Sequence, residues 1–80
     1  MRLDKYLKVS RLIKRRTVAN DACDGGRVEV NGRVVKASYN VKVGDELVIT
    51  FGSKPVKIRV LATPDVVSKN DAHTLYELCE

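Results

Sequence analysis

The chain has 80 residues, 44% hydrophobic and 31% charged, with a formal net charge of +5. That suffices for one small domain and is too apolar for a disordered chain. No apolar run approaches the roughly 18 residues of a membrane span, the two cysteines make neither a CxxC pair nor a disulfide framework, and the N-terminus lacks a secretion-like hydrophobic stretch, so the expected location is the cytoplasm.

The first element spans residues 2–11 and reads as a helix. Leu3 and Leu7 stack four apart, Tyr6 lies three from Leu3, and Asp4 precedes Lys8 by four, a favourable pairing direction. Lys5, Lys8 and Arg11 then face solvent, while Leu12 and Ile13 pack in the following turn. A second helix is predicted over residues 15–24. Val18, Ala19, Ala22 and Cys23 form its apolar stripe, and one glycine of Gly25-Gly26 takes a left-handed cap.

From Arg27 the period becomes two. Val28 and Val30 alternate with charged residues, and Asn31-Gly32 is a strong hairpin signal leading back through Arg33-Val34-Val35. Residues 36–40 form a loop with Ser38 and Tyr39, and Gly44-Asp45 turns the chain into Glu46–Phe51. Leu47, Ile49 and Phe51 share one face there. After Gly52-Ser53, Val56, Ile58 and Val60 alternate with Lys57 and Arg59, with Pro55 tolerable at the strand's beginning. Beyond Leu61 a polar connection precedes Ala72, Leu75, Tyr76 and Cys79, whose spacing allows a short terminal helix that must dock to persist. The expected fold class is α+β: a helix pair followed by a small antiparallel sheet, with residues 1–61 as the domain and 62–80 as an extension.

Charge is distributed unevenly along these elements. Residues 1–20 hold seven basic residues against Asp4 alone, whereas residues 21–80 hold eight against nine acids. Such a one-sided field points to a polyanion. Lys14-Arg15-Arg16 also stands where the second helix begins, and cations there cost an exposed helix about 0.3–1 kcal/mol each. A bound phosphate would relieve that cost by accepting helix amides and guanidinium N–H groups together. The alternative is an ordinary solvated basic surface. Membrane binding fits poorly, because the apolar faces are needed for the core and tryptophan is absent. RNA backbone readout asks less of these residues than DNA groove readout by paired half-sites.

No catalytic constellation is apparent. Asp4, Asp21, Asp24, Asp45 and Glu46 read as scattered turn and surface acids, His73 as an exposed residue, and Cys23 as a small hydrophobe. Nothing supplies a metal or cofactor site, and an enzyme is disfavoured.

RLDKYL, KRRTVA, GRVEVNGRVV and VKVGDEL, in that order, resemble the S4 RNA-binding domain over about residues 1–60. The opening RLDKYLKVSRLIKRRTVA closely resembles the bacterial RqcP family of ribosome quality control factors, to which the fifteen-kilodalton heat-shock S4 proteins are sister. This resemblance implies an S4 fold, the alpha-L RNA-binding motif, in which the sheet is strongly bent and RNA lies along the helix pair and a neighbouring loop. The RNA-binding residues expected are Arg2, Lys5, Lys8, Arg11, Lys14, Arg15, Arg16, Thr17, Arg27, Lys36 and Ser38, with Arg16 first and Arg2 second. Gly44-Asp45 is expected to be structural. A monomer is expected, and the resemblance also implies a ribosome-associated protein that binds the large subunit carrying a stalled nascent chain. It would contact 23S rRNA and peptidyl-tRNA, and hold the P-site tRNA while RqcH, of the NEMF family, directs alanine tailing. An S4-type assembly or heat-shock factor and a protein-binding adaptor remain the alternatives.

Overall fold

The computed structural model describes residues 1–79. Two helices, α1 (Leu3–Val9) and α2 (Arg16–Asp24), pack on each other and are followed by strands β1 (Val28–Val30), β2 (Arg33–Val34), β3 (Glu46–Phe51) and β4 (Lys54–Val60). A 3-10 helix, Lys69–Leu75, leads into β5 (Tyr76–Leu78). The five strands form one antiparallel sheet in the order β2-β1-β3-β4-β5.

The apolar periodicities account for the core. Leu3, Tyr6 and Leu7 of α1 and Ala19, Ala22 and Cys23 of α2 are buried with Val28, Val30, Leu47, Ile49, Ile58 and Val60 of the sheet. The small α2 residues allow the helices to approach closely. Val18, expected on the α2 stripe, is instead half exposed, because Ala19, Ala22 and Cys23 already fill the contact. Phe51 is exposed as well. The β3–β4 hairpin outruns β1, whose pairing reaches only Val28 opposite Ile49, so Phe51 lies at the hairpin tip opposite Lys54.

Two helix ends solve one geometrical problem differently. At the end of α2, Gly26 has φ +81°; its amide donates to the Cys23 carbonyl and the next amide, of Arg27, to Ala22. This is a Schellman closure, with glycine where the left-handed conformation favours it. At the end of α1 the corresponding residue is Arg11, with φ +63°; its amide donates to Lys8, and Ile13 N–H reaches the Leu7 carbonyl. An arginine there costs about 1–2 kcal/mol relative to glycine. Between β1 and β2, Asn31 and Gly32 both have positive φ, as the Asn-Gly signal requires.

The terminal segment differs from the helical expectation. Helix ends at Leu75, and Tyr76–Leu78 extend along β4, pairing Tyr76 with Val60 and Leu78 with Ile58. The free edge of β4 offers backbone partners that a solvated helical turn lacks. Leu75 is buried, and its carbonyl accepts hydrogen bonds from Tyr6 Oη at 2.7 Å and from the amides of Leu61 and Ala62. The last 18 described residues therefore close the sheet edge and contribute to the core.

Candidate nucleic-acid interface

The loop of residues 36–40 folds over the start of α1. Leu3 N–H donates to the Tyr39 carbonyl, Asp4 N–H to that of Ala37, and Arg2 makes an antiparallel bridge with Asn40. The loop is tied to α2 as well, through the Ala37 amide on Asp24 Oδ1 at 3.0 Å. Arg16, Asn20 and Asp24 recur every four residues along one side of α2. The first two of these reach Asp4 and the third the loop, so α1, α2 and the loop make one continuous face.

Asp4 is the centre of this face and corrects the sequence reading of a surface acid. Its side chain is 3% exposed. Its oxygens accept from Arg2 Nε at 3.2 Å and Arg2 Nη2 at 3.3 Å, from Asn20 Nδ2 at 3.2 Å, and from the Lys5 amide at 2.8 Å. Arg16 approaches the same carboxylate with Nε and Nη2, each at 3.5 Å. Burial pushes the Asp4 carboxyl up, but hydrogen bonds from Arg2, Asn20, the Lys5 amide and Arg16 prevail and hold it below its ordinary value. The expected pair with Lys8 does not form, because the carboxylate is turned toward these partners.

Among the predicted site residues all are exposed except Lys5, which is half-buried and lies 3.6 Å from Asp65. Lys8, Arg11, Lys14, Arg15, Arg27 and Lys36 form no ion pair among the described residues. Arg15 is the N-cap of α2; no side chain caps the helix, and its first turn contains no acid. Arg16 and Thr17 border a groove of about 320 Å³ with Asp4, Asn20 and Asp21. Lys5, Lys8 and Arg16 border another, facing Asp65, Val66 and Val67. Lys36 and Ser38 line a third beside Cys23 and Asp24. Arg27 follows the C-terminal end of α2, about 13 Å of helix away from Arg16.

The other singled-out groups have structural places. Asp45 is buried and accepts from Asn31 Nδ2, Tyr39 Oη and the Lys42 amide, bracing the turn before β3. Cys23 is buried; desolvation first, then the negative charges of Asp4 and Asp24, push its thiol up to about 11, which suppresses the thiolate. Cys79 is half-buried and unpaired, and His73 is exposed. Among the described residues no group of three or more His, Cys, Asp or Glu side chains could hold a metal ion. No helix among the described residues is long and apolar enough to cross a membrane.

Arg11 carries a direct test. It is an exposed cation in a conformation suited to glycine, with no ion pair among the described residues to offset the strain. Arg11→Gly is expected to raise stability by about 1 kcal/mol, or ~4–8 °C in melting temperature. If Arg11 contacts a phosphate, the same variant should bind RNA about fivefold more weakly at physiological salt. Thermal denaturation and a binding titration on one preparation check both.

A helix pair with an adjoining loop on a small antiparallel sheet, its exposed cations gathered around the start of α2, is the architecture of an S4 domain; the S4 domain family model matches residues 1–47. Similarity extends further along the chain. The RQC P-site tRNA stabilizing factor of Halalkalibacterium halodurans is 58% identical over 78 residues, covering 98% of this chain and 89% of that protein. Its namesake from Bacillus subtilis is 51% identical, covering 98% and 91%. The trimeric structure of Vibrio cholerae heat shock protein 15 matches with a TM-score of 0.91 at 30% identity, covering 99% of this chain and 81% of that one. The chain belongs to the S4-domain family of bacterial RQC P-site tRNA stabilizing factors, the RqcP family, to which heat shock protein 15 is sister.

Proposed function

We propose that the protein is a cytoplasmic, ribosome-associated RNA-binding factor. In this reading it occupies large subunits that retain a stalled nascent chain, contacts 23S rRNA and peptidyl-tRNA, and stabilises the P-site tRNA during RqcH-directed alanine tailing. The observation that carries it is the identity of 51–58% to two P-site tRNA stabilizing factors over nearly the whole chain. Exposed cations around the two helices support it independently: Lys8, Arg11, Lys14 and Arg15 have no ion-pair partner among the described residues, as a surface meant for phosphate would require.

In this role the protein acts by binding. Arg16 and Arg2 engage phosphates through guanidinium forks, Arg11, Lys14 and Arg15 broaden the patch, and Thr17, Lys36 and Ser38 flank it. Lys5 and Lys8 are peripheral, and Arg27 lies beyond the C-terminal end of α2. Contacts to both rRNA and tRNA would lower the free energy of the tRNA in one position without chemistry.

Purification of tagged protein with its endogenous particles tests the reading. Large subunits containing peptidyl-tRNA together with RqcH are expected. Recovery of tRNA-free assembly intermediates would instead support the assembly or heat-shock role of the sister group. Association that survives nuclease and high salt would point to a protein adaptor.

A further inference from the structure

The Asp4 carboxylate stands buried among the arginines of a predominantly cationic surface. A long-range Coulomb argument makes it a defect, because its negative charge opposes every phosphate that approaches. The contacts give it a different task. Arg2 presents Nε and Nη2 to the two carboxylate oxygens at 3.2 and 3.3 Å, and Arg16 presents the same two atoms at 3.5 Å. A guanidinium held by that edge keeps its remaining N–H groups, including those on Nη1, for another acceptor. Both arginine side chains are about half exposed, at 50% and 49%, while the carboxylate between them is 3% exposed.

The carboxylate is itself firmly held. The Lys5 amide fixes Oδ1 at 2.8 Å and Asn20 Nδ2 fixes Oδ2 at 3.2 Å, so α1 and α2 both determine its position. Two long cationic side chains that would repel each other are thereby tied to one rigid point. Asp4 and Arg16 themselves border a groove with Thr17, Asn20 and Asp21. Asp21 on that groove's border places a further negative charge near any phosphate seated there. Ordering two arginines before binding removes an entropy cost that the RNA contacts would otherwise bear.

We propose that Asp4 is a positioning residue for RNA: its buried carboxylate pre-orients the Arg2 and Arg16 forks toward neighbouring phosphates. The inference rests on the RNA-binding reading above and adds a residue that would not itself touch RNA. It also reverses the sign expected from charge alone. Removing a negative charge from a cationic surface should tighten polyanion binding, whereas removing the anchor should weaken it.

The test titrates wild type and Asp4→Asn against purified large subunits carrying peptidyl-tRNA, over a range of salt concentrations. Asparagine keeps the shape and can still accept from the Lys5 amide. The expected result is binding about tenfold weaker, with a shallower salt dependence and a folded circular-dichroism spectrum. In an Arg2→Ala, Arg16→Ala background, Asp4→Asn should cause no further loss, because nothing remains to orient. If Asp4→Asn does not fold, Arg2→Lys with Arg16→Lys keeps both charges but not the forks, and the same tenfold loss is expected. Binding that is unchanged or tighter in the folded variants overturns the inference while leaving the RNA reading intact. A wild-type protein that does not bind the subunit overturns both.

Discussion

Replacing Arg11, Lys14 and Arg15 together by glutamine is expected to weaken binding to the large subunit roughly a hundredfold at physiological salt. Each cation that neutralises a phosphate contributes about 0.7–0.9 to the slope of log affinity against log salt, so the slope should flatten by about 2–3. The fold should be unaffected, because none of the three makes an ion pair among the described residues and all are exposed. Arg2 and Arg16 are a different case. Removing both strips Asp4 of its charged partners, and breaking a buried pair costs about 3–5 kcal/mol when the remaining charge stays dry. Here truncation would admit water to the carboxylate, so a loss of about 2 kcal/mol is expected, still a large share of a small domain's stability. Binding lost on changing Arg2 and Arg16 must therefore be separated from folding lost, whereas the triple variant gives the cleaner reading. An unchanged salt slope in the triple variant would exclude these three as phosphate contacts.

The second large effect lies far from the cations. Leu75→Ala should destabilise the protein by about 3 kcal/mol through lost burial and the cavity left behind. For a chain of this size that lowers the melting temperature by roughly 12–24 °C. Leu75 is 2% exposed, and its segment brings β5 to the sheet and an acceptor to Tyr6 Oη. Thermal unfolding followed by circular dichroism measures it. A change below about 1 kcal/mol would mean that the segment after Leu61 contributes little to the core.

Most of the architecture was legible because the patterns are local. Leu3, Tyr6 and Leu7 announce α1, the alanines of α2 announce a close helix contact, and Asn31-Gly32 sets the first hairpin. Three features were not legible, for physical reasons. The burial of Asp4 depends on Arg16 and Asn20, residues 12 and 16 positions away, whose convergence is a tertiary fact. Strand β5 has only three residues, Tyr76–Leu78, and so short a run matches helical and extended spacing equally. Its conformation is decided by the open edge of β4. The left-handed Arg11 carries no glycine to mark it. In the site, the charge asymmetry of the first 20 residues located the cationic face. It could not tell the arginines already engaged by Asp4 from the cations left free.

A cryo-EM reconstruction of the protein on particles isolated with it from cells tests the central claim most directly. The account predicts that the start of α2, with Arg2, Arg15 and Arg16, lies within hydrogen-bonding distance of 23S rRNA and P-site tRNA phosphates, with the sheet turned away. A bound protein whose sheet or terminal segment faces the particle while these arginines point into solvent would contradict it.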